Sequence, residues 1–157
     1  MAKLNIVKRA DNEEFLRKKS REVTEITPRI LTLLDDMIET MREANGCGLA
    51  AVQVGVLRRV VVIETEDGLF ELINPKIVAF SEEEQVGDEG CLSLPGEWAV
   101  VKRPMHVTVR AYNREGQLIE ITGHGLLARA ICHELDHLDG ILYIDKATKK
   151  PKDEADE

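Results

Sequence analysis

The chain has 157 residues, of which 43% are hydrophobic and 32% charged, with a net charge of −8 at pH 7. This length suits one folded domain with a full core, and the composition excludes a disordered or fibrous protein. The negative charge disfavours a broad nucleic-acid surface but leaves room for a local basic patch. The sequence has no apolar run long enough to cross a bilayer, and its first residues lack the apolar core of a signal peptide, so we expect a cytoplasmic protein.

The first clear element is a helix that begins at Pro28. Residues 1–26 are polar and mixed, with a short helix predicted near residues 13–19. Thr27 suits the N-cap and proline suits the first helical position. Apolar residues then recur at helical spacing, which predicts one buried face, and Asn45-Gly46 ends the helix.

A run rich in small residues follows the helix, from Gly46-Cys47-Gly48 to Gln53. Small residues let a backbone or a ligand approach closely, although they also mark tight packing corners. Gln53 is either solvated, as most glutamines are, or donates a hydrogen bond into a site.

The middle of the chain predicts several short strands. Residues 59–65 form a β-branched run, and residues 69–73 are predicted as a second strand that Asn74-Pro75 breaks. Residues 76–80 are a candidate third strand, and the acidic residues 81–88 are expected to form a loop.

The second half of the chain predicts an antiparallel hairpin from residues 107–112 and 118–122, followed by a helix. This order predicts an α+β fold in which mostly antiparallel short sheets wrap around a central helix. We expect a single domain over residues 1–146 and a charged, disordered tail over residues 147–157.

The central helix carries the sequence His133-Glu134-Leu135-Asp136-His137. Helix positions four apart share one face, so His133 and His137 can present two imidazole nitrogens to one metal ion. Glu134 then projects beside the ion, where it can take a proton from bound water. The alternative is a helix with two surface histidines, but apolar residues at helical spacing around the motif predict a buried helix.

The three cysteines are too few for a disulfide framework. Cys91, flanked by glycine and apolar residues, is either a buried structural thiol or a metal ligand. A catalytic site uses three protein ligands and one open position, and Cys91 is chemically the best candidate for the third. Cys132 points about 100° away from His133 on the helix, which makes it a poor candidate. Cys47 remains a candidate for lining a pocket.

Three separated motifs together resemble the bacterial type of peptide deformylase, over nearly the whole chain. They are Gly46-x-Gly48-Leu49-Ala50-Ala51-x-Gln53, Glu89-Gly90-Cys91-Leu92-Ser93 and His133-Glu134-x-x-His137. The resemblance implies that Cys91, His133 and His137 are the metal ligands and that Glu134 is the catalytic carboxylate. It implies that Gln53 and the backbone N–H of Leu92 polarise the formyl oxygen. It also implies one ferrous ion (Fe2+), which Zn2+, Ni2+ or Co2+ can replace, whereas ligand chemistry alone favours zinc.

The same resemblance implies a hydrolase that removes the N-formyl group from the N-terminal formyl-methionine of newly made polypeptides and releases formate. Water activated by the metal attacks the formyl carbon, with Glu134 as general base and then general acid. Residues one turn before His133 are expected near the metal, where they would line a methionine pocket with Cys47. The expected substrate-binding residues are Gly46, Cys47, Gly48, Glu89, Leu126, Arg129 and Ala130.

The expected partners are N-formylmethionyl nascent peptides and, transiently, the ribosome. Longer relatives dock there through a C-terminal helix, whereas this tail is short, charged and carries Pro151. We expect a monomer with no membrane contact and no direct nucleic-acid recognition. Trp98 stands where many bacterial members carry arginine.

Two other functions share part of this pattern. A zinc endopeptidase would also carry the histidine motif, but it gives no reason for Cys91 as third ligand or for Gln53. A metal-binding or ribosome-associated module without catalysis would not need Glu134 beside the ion.

Overall fold

The computed structural model describes residues 3–148, which contain three α-helices and eight strands. In chain order these are α1 (Arg9–Leu16), α2 (Pro28–Glu43), β1 (Gly48–Ala50), β2 (Val60–Thr65), β3 (Gly68–Phe80), β4 (Glu84–Cys91), β5 (Leu94–Pro104), β6 (His106–Tyr112), β7 (Leu118–His124), α3 (Leu126–Leu138) and β8 (Ala147–Thr148). This architecture confirms the predicted α+β class.

The strands form two antiparallel sheets. The larger has the order β1-β2-β3-β6-β7 and the smaller the order β4-β5-β8. Helix α3 contacts β1, β2, β6 and β7 of the larger sheet and β5 of the smaller one. Side chains of α3 can therefore meet residues from both sheets.

Helix α2 begins as its sequence predicts and covers the outer side of the larger sheet. The hydroxyl of Thr27 accepts a hydrogen bond from the backbone N–H of Ile30 at 3.4 Å, which satisfies one free donor of the first turn. The apolar face of α2 packs with Leu49 of β1 and Val60 and Val62 of β2. This packing holds β1, which lies within the small-residue run, against the helix.

Helix α3 is buried along almost its whole length, as the apolar spacing predicts. Its apolar residues pack with Val61, Ile63 and Leu72 of the larger sheet. Gly140 follows the helix with a φ of 75°, in the left-handed region that favours glycine. A side chain there would collide with the carbonyl oxygen of Arg17. The chain therefore turns away sharply after the helix.

Several boundaries differ from the prediction. The first helix is Arg9–Leu16 rather than residues 13–19. Asn74-Pro75 does not end a strand, because β3 continues through a register shift at that point. Asn74 adopts a φ of 52°, and its side chain bonds the backbone N–H and C=O of Val23 at 2.8 Å each. The pair therefore bends one long strand instead of separating two.

The smaller sheet was not predicted. The expected acidic loop at residues 81–88 is wrong from Glu84 onward, because β4 pairs with β5 along its length. The expected tail is wrong in its first two residues, because Ala147 and Thr148 pair with β5. The remainder of the predicted tail, residues 149–157, lies outside the described residues. No helix within residues 3–148 is long and apolar enough to span a membrane.

Candidate metal centre

Three metal-ligating side chains from two distant parts of the chain meet at one point. Cys91 ends β4, and His133 and His137 lie on α3. One ligand atom from each lies within 4.8 Å of those of the other two. The Sγ of Cys91 is 3.3 Å from Nε2 of His137. The smaller sheet thus brings a thiol to the two imidazoles of the helix.

Glu89 holds the ring of His133 in place. Its Oε1 lies 2.8 Å from Nδ1 of His133. Burial alone would raise the pKa of Glu89, but hydrogen bonds from Arg103 and His133 lower that pKa to about 2. Because the carboxylate stays ionised, Nδ1 donates to it, and Nε2 of His133 is left available for a metal.

Glu134 lines the same cavity as Cys91 and His133, and its side chain is buried. The residue is 4% exposed, and its Oε1 has no hydrogen-bond partner among the described residues. Burial raises the pKa of this carboxyl group to about 7. A carboxyl group with this pKa can both accept and return a proton near neutral pH.

Gln53 is buried beside the sulfur of Cys91. Its Oε1 accepts a hydrogen bond from the backbone N–H of Ala50 at 2.9 Å, which fixes the orientation of the amide. Its Nε2 donates to Ser93 Oγ at 3.1 Å and lies 3.5 Å from Cys91 Sγ. The amide donors of Gln53 therefore point toward the metal ligands rather than toward bulk solvent.

A cavity of about 420 Å³ opens beside this cluster. Among the residues predicted for the site, those that line it are Gly46, Cys47, Gly48, Gln53, Glu89, Cys91, Leu92, Leu126, Arg129, Ala130, His133 and Glu134. His137 is buried behind the other ligands, where burial holds the pKa of its imidazole well below the usual range. A neutral imidazole is the form that binds a metal. Cys132 is buried on α3 and does not belong to the ligand cluster.

Two of the residues expected to contact substrate have side chains that point inward. The carboxylate of Glu89 is bound by Arg103 and His133. Arg129 is 8% exposed and donates to Glu89 Oε2 at 2.7 Å and to the carbonyl of Val101 at 3.0 Å. Both residues line the cavity, but their opposite charges are paired with each other.

Arg103 is a residue of the site that sequence reasoning missed. It is 2% exposed, and its guanidinium bonds both oxygens of Glu89 and Oδ2 of Asp136 at 2.8 to 2.9 Å. It therefore ties β5 to β4 and to the turn of α3 that carries the histidines. The sequence signal that could have identified Arg103 is a cationic residue that follows the apolar residues of β5.

The rim of the cavity includes Trp98, which is 71% exposed. The indole ring lies over Gly90, where a β-carbon would come within 2.8 Å of it. Leu126 lies on the same rim and is also largely exposed. The entrance of the cavity is therefore flanked by apolar surface.

The donor set suits a divalent transition metal ion. One sulfur and two imidazole nitrogens are ligands that zinc, ferrous iron, nickel and cobalt all accept. Three protein ligands would leave a bound ion able to take a further ligand from the cavity, as catalytic sites do. The residues present thus fit a metal that works on a bound molecule.

Comparison of the sequence with known families and proteins gives a consistent result. The sequence model of the family described as "Polypeptide deformylase" matches residues 3–153. Peptide deformylase of Acetivibrio thermocellus is 61% identical over 141 residues, which cover 90% of this chain and 82% of that protein. Peptide deformylase of Alkaliphilus metalliredigens is 57% identical over 142 residues, which cover 90% of this chain and 96% of that protein.

Solved structures with the same fold include two peptide deformylases. The Thermotoga maritima protein has a TM-score of 0.90 at 35% identity, over 95% of this chain and 100% of that one. The Ehrlichia chaffeensis protein, solved in complex with actinonin, has a TM-score of 0.89 at 39% identity, over 99% and 94% of the two chains.

Proposed function

The chain belongs to the polypeptide deformylase family, and from this premise we propose how its residues remove the formyl group from the N-terminal formyl-methionine of newly made polypeptides. The observation that supports the proposal most is the meeting of Cys91, His133 and His137 beside a cavity that Cys91, His133 and Glu134 line. Formate and a free amino terminus are the products.

Cys91, His133 and His137 would hold the ion, and we propose that it is Fe2+, with Zn2+, Ni2+ or Co2+ able to replace it. Such an ion supplies Lewis acidity that makes a water molecule acidic enough to lose a proton near neutral pH. Glu89 orients His133 for this task, and Arg103 orients Glu89.

Glu134 moves the proton. Its pKa of about 7, raised by burial, suits it to take a proton from the attacking water. The oxygen of that water bonds to the formyl carbon, and the protonated Glu134 then gives the proton to the amide nitrogen as the C–N bond breaks. The carboxyl group returns to its starting state.

Gln53 and the backbone N–H of Leu92 bind the formyl oxygen as negative charge develops on it. In the structure, Gln53 Nε2 contacts Ser93 Oγ and Cys91 Sγ. The weak 3.5 Å contact with sulfur is the one that it would exchange for the substrate oxygen. Leu92 lies in the turn between β4 and β5 and also lines the cavity. Donors of this kind act most strongly where water is excluded.

The methionine side chain enters the apolar part of the cavity. Ala130 and Leu126 line it from α3, and Cys47 lines it from the loop that leads into β1. The peptide backbone extends past Gly46 and Gly48, where small residues permit a close approach. We further propose that the enzyme acts as a cytoplasmic monomer that contacts the ribosome transiently.

The decisive experiment compares two assays on metal-loaded protein. One measures formate release from a formyl-Met peptide, and the other measures cleavage of an internal bond in an acetylated peptide. We expect the first to proceed and the second to fail. The reverse result would overturn the proposed reaction in favour of endopeptidase activity, and activity in neither assay would favour a non-catalytic metal-binding role.

A further inference from the structure

A second cavity, of about 570 Å³, lies away from the metal centre and shares none of its lining residues. It forms where the segment after α1 meets the start of β2, the bend in β3 and the end of α3. The residues that line it are Lys19, Ser20, Arg21, Glu22, Arg59, Asn74, Pro75, Lys76 and Asp139.

The lining is basic although the whole chain is acidic. Four lining residues carry positive charge and two carry negative charge, whereas the whole chain has a net charge of −8. Lys19, Arg21 and Lys76 are exposed and form no salt bridge with another residue of the range 3–148. Their charges are thus available to an anion in the cavity.

The two acidic lining residues do not cancel this charge. Asp139 accepts a hydrogen bond from Arg59 Nη2 at 3.0 Å and is therefore neutralised within the wall. Glu22 is exposed at the edge and can turn toward solvent. The side chains of Lys19, Arg21 and Lys76 then carry three positive charges in the cavity, against the single negative charge of Glu22.

The inner wall is fixed in place. Arg59 Nη1 donates to the carbonyl oxygens of Ser20 at 3.2 Å and Leu138 at 3.0 Å. The backbone N–H of Ser20 donates to the same Leu138 carbonyl at 2.8 Å. Arg59 and Ser20 thus both donate to the carbonyl oxygen of Leu138, the last residue of α3, and the Arg59 cation offsets the negative end of that helix, which would otherwise repel an anion.

Ser20 gives an independent sign of a ligand. The residue is 4% exposed, and its Oγ has no hydrogen-bond partner among the described residues. A buried hydroxyl without a partner is unfavourable, and native proteins keep few of them. Ser20 lines the cavity, and although its Oγ is closed off from solvent, a change of rotamer would turn it toward the cavity, where an oxygen of a bound molecule can accept from it.

We propose that this cavity, which we call the basic pocket, binds a phosphate group. Lys19, Arg21 and Lys76 supply the charge, and the Ser20 hydroxyl, once turned toward the cavity, donates one hydrogen bond to a phosphate oxygen. Phosphate is favoured because it combines high negative charge with several acceptor oxygens. The lining of the pocket contains no aromatic residue on which a base would stack. The phosphate group itself is therefore the recognised element, whether a small phosphate ester or a nucleic-acid backbone carries it.

The test measures binding of inorganic phosphate to the metal-loaded full chain by calorimetry, against chloride at the same ionic strength. The variant Lys19→Ala/Lys76→Ala removes two lining cations, and Lys18→Ala/Lys102→Ala removes two exposed lysines that do not line the pocket. We expect binding about tenfold weaker or more in the first variant and unchanged in the second. Phosphate bound at the metal would not distinguish the two variants.

The variant Ser20→Ala separates the hydroxyl from the charges. Because Oγ has no partner within the described residues, its loss should leave the melting temperature unchanged or raise it, while phosphate binding weakens about three- to tenfold. Equal phosphate binding by wild type, Ser20→Ala and both lysine variants would overturn the proposal, as would no binding at millimolar phosphate.

Two further arms identify the source of the phosphate. Adenosine 5′-monophosphate and a short RNA duplex are titrated separately into wild type and the Lys19→Ala/Lys76→Ala variant. Tighter binding of the mononucleotide than of inorganic phosphate supports a small ester. Duplex binding that is lost in the variant and falls steeply with salt supports a nucleic-acid backbone. None of these measurements depends on deformylase activity, so the pocket can fail while the proposed function stands.

Discussion

A β-carbon at Gly48 would lie 2.5 Å from Oε2 of Glu134 and 2.9 Å from its Cγ and Cδ atoms. The carboxylate of Glu134 therefore occupies the space beside β1 that any other residue at position 48 would need. A glycine is therefore required at position 48 by the Glu134 carboxylate as well as by backbone packing.

The variant Gly48→Ala should displace the Glu134 carboxylate while leaving the three metal ligands in place. A displacement of about 1 Å can cost on the order of 100-fold in rate, so we expect kcat to fall by about that factor. Metal content, measured by atomic absorption, should match the wild type. A variant that loses its metal and its activity together would contradict this explanation, because the defect would then lie in the ligands.

The variant Glu134→Gln should bind metal normally and lose turnover. Glutamine keeps the size of the side chain but cannot take a proton from water, and proton transfer of this kind contributes about 100- to 10,000-fold to the rate. The matched control is Glu64→Gln, which alters a surface carboxylate paired with Arg42. Substantial formate release by Glu134→Gln would remove Glu134 from the mechanism.

Glu89→Gln should weaken metal binding without touching a ligand. Glu89 orients His133, and loss of such a partner costs about 10- to 100-fold in metal affinity. The variant also leaves the buried cations of Arg103 and Arg129 without their carboxylate, so we expect unfolding to become easier by about 3 to 5 kcal/mol.

Competition with a chromophoric chelator measures the affinity of the Glu89 variant, and urea unfolding measures its stability. The control Glu120→Gln breaks an exposed pair with Arg110, which should cost less than about 1 kcal/mol and leave metal affinity unchanged. Wild-type metal affinity in Glu89→Gln would show that His133 is oriented by packing alone.

Glu89 also shows where prediction from sequence ends. Helices α2 and α3 were predictable because their signals are local: a Thr-Pro start, apolar residues at helical spacing, and a glycine after the end. Residues 84–88 of β4 were expected to form a loop because the segment is acidic. Its residues in fact alternate, with Asp88 exposed and Glu89 buried.

The burial of Glu89 depends on partners from distant parts of the chain. Arg103 comes from β5, and Arg129 and His133 come from α3. A single sequence gives no direct sign of such a pairing, so a strand carrying a buried carboxylate looks like a solvated segment. The convergence of Cys91, His133 and His137 was predictable because metal ligation prescribes chemical types and helical spacing, whereas the network that supports these residues was not.

The variant Ala130→Trp should obstruct the cavity. Ala130 is buried on α3 and lines the part of the cavity next to the ligands. We expect KM for formyl-Met peptides to rise by about tenfold or more, because an indole would fill the space proposed for the methionine side chain. The control Ala79→Trp adds the same ring at an exposed position of β3. An unchanged KM in Ala130→Trp would exclude Ala130 from the methionine pocket.

Oxygen should inactivate the iron-loaded enzyme. Cys91 is only partly buried and lines the cavity, so dissolved oxygen can reach the thiolate and an ion held beside it. A thiolate next to a redox-active ion is open to oxidation, and oxidation of the sulfur removes one of the three ligands. Zinc has no accessible second oxidation state, so a zinc-loaded sample of the same preparation should keep its activity.

The measurement is formate release at intervals after transfer from anaerobic to air-saturated buffer, with mass spectrometry of the peptide that contains Cys91. If the iron form keeps full activity through prolonged exposure while the metal stays bound, then either the ion is not ferrous or the cavity protects the sulfur from oxygen.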